Sequence, residues 1–367
     1  MPTNDIINIK TNDAEIFIGN EVFNVLQEYL RSYQKSRIFL LVDENTLQHC
    51  AGELIAGLPI LQKAEIIEIG SGEENKTIDI CYQIWKTLAD YKADRNILLI
   101  NLGGGVITDM GGFIASTYKR GVDFINIPTT LLAQIDASVG GKVGVDLEAM
   151  KNMIGVFNEP KGVFIYPGFL KTLEKRQMLS GYAEALKHAL IKDADYWKAL
   201  KKGMLSDSDN WLKLIATSVT IKNEIVLIDP NEKNERKLLN FGHTIGHAIE
   251  SYALKNEGIT LLHGEAIAIG MLCEAYISNQ IMGLPDKAFN EITETMMSFY
   301  IHYDFNPSDF HQLIELMKND KKNEMDKINF TLISEIGKAH IDQQVEVECI
   351  LDALNFYHTL TFNKVSG

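Results

Sequence analysis

The sequence predicts an α/β domain built on a parallel β-sheet, followed by a domain made of α-helices. In the first half, short runs of aliphatic residues alternate with amphipathic stretches, as is typical of parallel strands that helices cover on both faces. Beyond Pro160 and Pro167 the apolar residues follow a helical period instead. We therefore expect two domains, 1–160 and 161–367, with their boundary near residue 160.

The composition argues against several classes of partner. The 367 residues are 46% hydrophobic and 23% charged, as expected of a soluble globular protein with a large core. The formal net charge is -14, which argues against non-specific binding to nucleic acid or to an anionic membrane. An anionic substrate must therefore be held by a local cluster of lysine and arginine side chains.

The cysteines indicate a reducing compartment. Cys50, Cys81, Cys273 and Cys349 lie far apart in the sequence and form no C-x-x-C pair, so we expect reduced thiols. The first residues lack the basic and apolar segments of a secretion signal, and no apolar run approaches the roughly 20 residues of a membrane span. These features predict a soluble cytoplasmic protein.

The predicted strands of the first domain are followed by polar or glycine-rich segments. Their ranges are 16–19, 37–42, 64–69, 96–102, 124–127 and 164–166, with helices predicted at 22–33 and 78–91. Polar residues 43–45 follow the second strand, and the segment 70–77 follows the third. Open parallel sheets bind ligands at the carboxyl ends of their strands, so these segments are candidate ligand contacts.

The glycine run Gly103-Gly104-Gly105 follows the fourth strand and leads towards Asp109. Glycines between a strand and a helix let backbone N–H groups approach a phosphate, which the helix dipole also favours. The spacing departs from the common dinucleotide fingerprint, because Thr108 stands where the last glycine belongs. A tight turn without a ligand is the alternative, but the strand-to-helix context favours a nucleotide.

The segment 128–142 is a second candidate for binding a phosphorylated ligand. It contains several hydroxyl side chains, Asp136, two glycines and Lys142, and Lys151 and Asn152 follow shortly after it. The pair Lys119 and Arg120 precedes it, and local sequence alone predicts that these two are solvated surface residues.

The second half contains the histidines. Helices are predicted at 211–228, 238–252, 264–280 and 310–319, with an extended segment at 330–333. In the second of these helices His243 and His247 lie one turn apart on one face, and Arg236 and Asn240 are expected on the same face. His263 precedes the next helix beside Glu265. So many polar groups are unusual in a plain core and indicate a site.

A zinc centre can be assembled from these groups. Glu184, with two of the histidines at 243, 247 and 263, would supply the three protein ligands of an open catalytic site. Spacing does not decide which two histidines bind, although local spacing favours the one-turn pair. Lys187 shares a helix face with Glu184 and His188. The anion cluster would come from Lys142, Lys187, Lys222, Arg236 and either Lys321 or Lys322.

Taken together, these motifs resemble the 3-dehydroquinate synthases of the sugar-phosphate cyclase group. The matching stretches are 103–109, 128–142, 181–187, 240–247, 263–265 and 320–323. They run in the family's order across nearly the whole chain. The resemblance implies a Rossmann-like NAD-binding domain, then an all-α metal- and substrate-binding domain, with the active site in the cleft.

The resemblance also implies which residues bind. The metal, Zn2+ or Co2+, would be held by Glu184, His243 and His263, in place of the one-turn pair. NAD contacts would fall on Asp43, Asn45, Ser71, Glu73, Lys76, Gly104, Gly105, Val106, Ile107, Thr108, Asp109, Thr129, Thr130, Leu132, Lys142, Lys151, Phe169, Leu170, Lys171 and Thr172. Substrate contacts would fall on Asp136, Lys142, Asn152, Lys187, Lys222, Arg236, Asn240, His247 and one of Lys321 and Lys322. Arg120 would reach the substrate phosphate of the neighbouring subunit in a homodimer.

The implied reaction converts 3-deoxy-D-arabino-heptulosonate 7-phosphate into 3-dehydroquinate and phosphate, in the shikimate pathway. Transient oxidation by NAD, loss of phosphate, re-reduction, ring opening and aldol closure would follow one another. One alternative is a sister cyclase of the inosose or valiolone synthase type, and another is a metal-dependent polyol dehydrogenase. Asn240, His247 and the Lys321-Lys322 pair favour a substrate with a carboxylate, and hence the first reaction.

Overall fold

The computed structural model describes residues 6–33, 35–148, 150–203, 208–256, 261–320 and 327–361. The chain forms two compact units. The first consists of Met1–Met178 and Leu205–Asn223, and the second of Leu179–Met204 and Glu224–Gly367. The functional division into a cofactor domain, 1–160, and a metal domain, 161–367, stays a prediction.

A seven-stranded sheet forms the centre of the first unit, in the order β1-β2-β9-β6-β5-β3-β4. Its strands are β1 (Ile7–Lys10), β2 (Glu15–Ile18), β3 (Ile38–Asp43), β4 (Glu65–Ile69), β5 (Leu98–Gly103), β6 (Asp123–Pro128) and β9 (Val163–Ile165). All neighbouring pairs are parallel except β1 with β2. The six predicted strands therefore exist, and the α/β class of this part of the chain is confirmed.

Helices cover both faces of this sheet. They are α1 (Val22–Ser32), α2 (Glu44–Thr46), α3 (Gly52–Gly57), α4 (Ile78–Asp90) and α5 (Gly105–Thr117). Every residue of β5 is buried, and its side chains alternate between two cores. Leu99 joins the core under α4 and α5, whereas Leu98 and Ile100 join the core under α1 and α3. This two-sided burial explains why the strand sequences are almost continuously apolar.

A β-hairpin outside the sheet is an element that our sequence analysis missed. Its strands are β7 (Lys142–Leu147) and β8 (Met150–Phe157), which pair antiparallel. The hairpin begins at Lys142 and includes Asn152, so it carries two of the predicted substrate contacts.

The remaining elements are mostly helical. They are α6 (Lys175–Lys192), α7 (Ala194–Leu200), α8 (Ser208–Ile228), α9 (His243–Lys255), α10 (His263–Ile277), α11 (Asp286–Phe299), α12 (Phe310–Asp320) and α13 (Val347–Thr359), with the hairpin β10 (Lys327–Glu335) and β11 (Lys338–Glu346). The predicted helical character of the second half is confirmed, and the predicted segment 330–333 lies within β10. In the described parts of the chain, no helix is long and apolar enough to span a membrane.

Helices α9 and α10 approach each other at backbone contact distance. A Cβ added to Gly270 would lie 1.9 Å from the backbone oxygen of Gly242, and one added to Gly246 would lie 3.0 Å from that of Ala266. Only glycine fits at Gly270, because any side chain there would occupy the space of the facing backbone, and a side chain at Gly246 would force its neighbours to shift. The glycines therefore set how closely the two helices pack.

The start of α9 differs from our prediction. We expected a helix from residue 238, with Arg236 and Asn240 on the face of His243. Instead Glu235–Asn240 is a short 3-10 turn, and Gly242 adopts a left-handed conformation with φ of +79° before α9 begins at His243. The left-handed residue breaks the helical register, so the expected shared face does not exist.

The Gly270→Ala substitution tests this packing. We expect it to lower the free energy of unfolding by about 1–3 kcal/mol, because the methyl group overlaps the backbone of the facing helix. The control is Gly52→Ala, since a Cβ there meets nothing within 4 Å. That variant should be neutral or slightly more stable. Thermal unfolding measures both, and equal melting temperatures for the two variants would contradict the proposed contact.

Candidate functional site

The sheet of the first unit has a topological switch point at the carboxyl ends of its parallel strands. The chain passes from β3 outward to β4 and then returns to the other side of β3 as β5. The strand order thus reverses between β3, which ends at Asp43, and β5, which ends at Gly103. Such a reversal opens a gap between the flanking loops, and this gap is where open α/β sheets bind nucleotides.

The glycine turn fits a phosphate at this position. Gly104 precedes the first residue of α5, and a Cβ on Gly103 would lie 2.5 Å from the side chain of Ile107. The hydroxyl of Thr108 donates to the carbonyl oxygens of Gly104 and Gly105, 3.3 and 3.2 Å away. Thr108 therefore points into its own helix, and the amides at the start of α5 are suited to an anion.

Lys76 is the centre of a charged cluster beside this switch point. Its ammonium group is buried and donates to Asp109 at 2.7 Å and to the side-chain oxygen of Asn152 at 2.6 Å. Burial lowers the pKa of Lys76, but Asp109 and Glu73 outweigh that effect, so its pKa is raised and the charge is kept. Lys151 pairs with the same Glu73 at 3.1 Å.

Lys222 and Asp136 form a second ion pair within the first unit. The Lys222 ammonium donates to the carboxylate and to the backbone oxygen of Asp136, both at 2.7 Å. Only 6% of Lys222 is exposed, so the pair is held in place. These two predicted substrate contacts are therefore neighbours.

Two predicted substrate contacts have unusual backbone conformations. Arg120 has φ of +68° and Asn152 has φ of +53°. Left-handed conformations are uncommon outside glycine, and they persist where the surrounding structure imposes them. Arg120 is exposed, as local sequence predicts.

The other predicted cofactor residues lie around the same strand ends. Asp43 caps α2 by accepting from the amide of Thr46 at 2.8 Å. The remaining positions are on α2 (Asn45), in the turn after β4 (Ser71 and Glu73), at the start of α5 (Val106 and Ile107), after β6 (Thr129, Thr130 and Leu132), and in the turn Pro167–Thr172 (Phe169, Leu170, Lys171 and Thr172). Lys321 and Lys322 lie outside the described residues.

The second unit contains a compact group of metal-ligand atoms. Glu184 on α6, His243 on α9 and His263 on α10 place one donor atom each within 4.8 Å of one another. The Nε2 atoms of the two histidines lie 3.6 and 3.5 Å from Oε1 of Glu184. Glu184 is fully buried, and the buried ammonium group of Lys187 pairs with its other oxygen. This is the donor set that the family resemblance implied.

The second nitrogen of each histidine is also engaged. Nδ1 of His243 lies 3.1 Å from the carbonyl oxygen of Phe241, and Nδ1 of His263 lies 3.2 Å from Oε2 of Glu250. A carbonyl or carboxylate accepts a proton from Nδ1, so Nε2, which faces Glu184, is the nitrogen that would bind a metal ion once it carries no proton. Metal-binding histidines usually have this arrangement. The residues present therefore fit a divalent metal ion.

In the metal-free protein, the pKa values of His243 and His263 are shifted in opposite directions. Burial lowers the pKa of His243 well below its ordinary value, and the charge of Lys187 lowers it further. Burial also lowers the pKa of His263, but Glu250 and Glu184 outweigh this effect and raise it to about 10. His263 thus carries a proton between two carboxylates, and a metal ion would replace that positive charge.

His243 and His247, which lie one helical turn apart, are not the two histidines that group with Glu184. The donor group with Glu184 and His243 contains His263, whereas His247 belongs to another group, with Glu250 and His263. The rings of His243 and His247 are in contact, with centroids 5.0 Å apart, so His247 lines the centre. Helical spacing alone could not reveal that α10 brings in the second ligand.

Arg236 and Asn240 lie on the turn that precedes α9. Asp229 accepts hydrogen bonds from the amides of Lys233, Asn234 and Arg236 at 2.6–3.1 Å, which fixes this loop. The guanidinium of Arg236 donates to the carbonyl of Pro230 at 2.7 Å. We did not identify Asp229 or Glu250 from the sequence, because their roles depend on contacts across the fold.

Two models of one protein family match consecutive parts of the chain. The 3-dehydroquinate synthase N-terminal family model matches residues 66–180, and the 3-dehydroquinate synthase C-terminal model matches residues 181–323. The 3-dehydroquinate synthase of Parabacteroides distasonis is 43% identical over 349 residues, which cover 94% of this chain and 98% of that protein.

Two solved structures share the fold and are each 25% identical, with TM-scores of 0.82. One is 2-deoxy-scyllo-inosose synthase complexed with carbaglucose-6-phosphate, NAD+ and Co2+, and the match covers 95% of this chain and 99% of that chain. The other is 2-epi-5-epi-valiolone synthase from Streptomyces hygroscopicus subsp. jinggangensis with NAD+ and Zn2+ bound, with 95% and 98% covered.

The fold is therefore that of synthases that make inosose and valiolone products. Within this group, the sequence match is more specific than the structural ones, because the identity is higher, 43% against 25%, at similar coverage. The chain belongs to the 3-dehydroquinate synthase family.

A double-mutant cycle tests the Lys76 cluster. We expect Lys76→Met to lower the free energy of unfolding by about 3–5 kcal/mol, because it leaves the carboxylate of Asp109 without its buried partner. Asp109→Asn in the same chain should restore part of the loss, since the amide carries no charge. Denaturant unfolding of the wild type, both single variants and the double variant measures the coupling. Additive losses would show that the pair is not coupled.

Proposed function

We propose that this protein converts 3-deoxy-D-arabino-heptulosonate 7-phosphate into 3-dehydroquinate and phosphate, a step of the shikimate pathway. The observation that carries the proposal is the cluster of Glu184, His243 and His263, found in a chain of the 3-dehydroquinate synthase family. The proposed enzyme is a phosphate-eliminating lyase that depends on NAD+ and on Zn2+ or Co2+. Solved relatives that contain NAD+ with one of these metals support both cofactors.

The buried cluster is suited to holding a metal and a reacting hydroxyl. Glu184, His243 and His263 supply three ligands and leave coordination positions for the substrate. When bound, the metal would supply polarisation of the hydroxyl to be oxidised, and NAD+ would supply the acceptor and later the donor of the hydride. Lys187, already paired with Glu184, can donate a hydrogen bond to the substrate oxygen. His247 beside the cluster can accept or return a proton.

Separate sets of basic and hydrogen-bonding side chains would bind the two anionic ends of the substrate. Lys142, Asn152 and Arg120 would hold the phosphate, while Arg236 and Lys222 would hold the carboxylate and nearby hydroxyls. The pairing of Lys222 with Asp136 supports this assignment, because it fixes the ammonium group before the substrate binds. The carboxylate end of the proposed substrate distinguishes it from the substrates of the sister cyclases.

NAD+ would bind along the strand ends of the first unit. The reversal of strand order between β3 and β5 and the glycine turn before α5 support this proposal. The pyrophosphate would lie at the start of α5, and the ribose hydroxyls would contact Asp43. Lys76 would add positive charge beside the phosphates.

We further propose a cytoplasmic homodimer. Cys50, Cys81, Cys273 and Cys349 are free thiols, which supports a reducing compartment. On β8, Met153 and Phe157 are exposed by 59% and 56%, and such an apolar strand is suited to contact with a second copy.

Phosphate release from the heptulosonate phosphate tests the reaction. Metal-stripped protein with NAD+ should release none, and added Zn2+ should restore release without accumulation of NADH, because each hydride is returned within the catalytic cycle. Release from a sugar phosphate without a carboxylate, and not from the heptulosonate, would identify a sister cyclase. Steady NADH formation with a polyol would identify a dehydrogenase.

Mixing of inactive variants tests the shared site. If Arg120 serves the neighbouring subunit, Arg120→Ala and His263→Asn dimers are each inactive, but a mixed dimer contains one site with both groups. Random co-assembly should then leave about one quarter of all sites active, and about one half of the sites in dimers selected by two different tags. The control mixture is His243→Asn with His263→Asn, which should stay inactive because both residues belong to one site. No recovery in co-expressed, doubly tagged dimers of the first mixture would place Arg120 in its own subunit's site.

A further inference from the structure

A second buried glutamate lies on α10, three turns beyond His263. Glu274 is fully buried, with 0% of its surface exposed. Carboxylates are rarely buried to this extent unless strong hydrogen bonds or ion pairs compensate the lost hydration. None of the steps of the proposed reaction uses this residue.

The carboxylate of Glu274 binds the start of α9. Its Oε2 accepts from the amide of Gly242 at 2.6 Å, and its Oε1 accepts from the amide of Ile245 at 3.2 Å. The first amides of a helix have no partner within the helix, and the residue before α9 offers no side-chain cap. A carboxylate from the facing helix therefore caps α9, at the end where the helix dipole favours negative charge.

These two amides lie on either side of His243. The same turn contains Phe241, whose carbonyl oxygen lies 3.1 Å from Nδ1 of the His243 ring. The carboxylate thus anchors the backbone of the histidine and the group that orients its ring. One turn before Glu274, Gly270 lies against the backbone of Gly242, so the two helices cannot separate locally without breaking these bonds.

We propose that Glu274 is a positioning residue for the metal centre. Its carboxylate fixes the turn Phe241–Ile245 and thereby directs Nε2 of His243 towards Glu184. The inference rests on the proposed metal-binding role of Glu184, His243 and His263. It assigns a specific task to a residue that does not itself touch the metal, the substrate or the cofactor.

The test compares Glu274→Gln with Ser278→Ala. Glutamine has nearly the same volume, but it offers one acceptor oxygen, and its NH2 group would face a backbone N–H. The control residue lies one turn further along and is equally buried. The Ser278 hydroxyl accepts from the amide of Ile333 at 3.1 Å and donates to the carbonyl oxygen of Glu274 at 2.7 Å. Its loss disturbs the same region without changing the cap.

Metal-stripped protein is titrated with Zn2+ against a chromophoric chelator, and the absorption spectrum of the Co2+ form is recorded. We expect Glu274→Gln to weaken Zn2+ binding at least about 10-fold and to change the Co2+ spectrum, because residues that orient ligands have effects of this size. Ser278→Ala should lower the melting temperature but keep the wild-type affinity and spectrum. NAD+ binding should be unchanged in both variants.

Wild-type affinity and spectrum in Glu274→Gln would overturn the inference while leaving the metal site intact. Equal losses of affinity in both variants would also overturn it, because they would reflect general destabilisation. If the wild type binds no Zn2+, the proposed metal site itself is wrong and the inference falls with it. If Glu274→Gln does not fold, Glu274→Asp replaces it, since the shorter arm keeps the charge but cannot reach both amides.

Discussion

The candidate metal centre depends on the close approach of α9 and α10, and this approach depends on glycine. Where Gly242 and Gly270 meet, a single methyl group would lie 1.9 Å from the facing backbone. The donor atoms come from different helices, so their separation is set by the distance between helices and not by local geometry. Coordination tolerates errors of only a few tenths of an ångström. Direct contact between the two backbones fixes the distance between the helices within such limits, because no flexible side chain lies between them at this point.

The second constraint on this part of the structure is the burial of charged side chains. Glu184, Lys187, Glu250 and Glu274 are all buried, with at most 3% exposed. Burying several carboxylates is unfavourable unless each has a partner. Glu184 is paired with Lys187, Glu250 with His263, and Glu274 with two helix amides. The proton that His263 holds at neutral pH compensates part of this negative charge in the metal-free protein, and a divalent cation would compensate more of it. The polar groups thus favour a bound cation before any substrate is considered.

The sequence was sufficient to predict elements whose burial produces a regular pattern. The strands of the first unit are buried on both faces, so each is visible as an apolar run, and the glycine turn after β5 is visible from its composition. The hairpin β7–β8 was missed because β8 is largely exposed and lacks such a run. The true start of α9 was missed because Gly242 interrupts a continuous apolar pattern by its backbone conformation alone. Family resemblance, and not helical spacing, indicated His263 as the partner of His243.

The sequence could not reveal that α9 and α10 each orient a candidate ligand that the other helix carries. Glu250 on α9 holds the ring of His263 on α10, and Glu274 on α10 holds the turn that carries His243 on α9. Each helix therefore carries one candidate ligand and the residue that orients the ligand of the other. In such an arrangement neither histidine can be oriented before the helices pack, so formation of the site and packing of this part of the fold become one event. A metal that binds only the packed state would then stabilise it by an amount that grows with the logarithm of its affinity. The contacts that align the ligands would therefore couple the packing of the two helices to the binding of the metal.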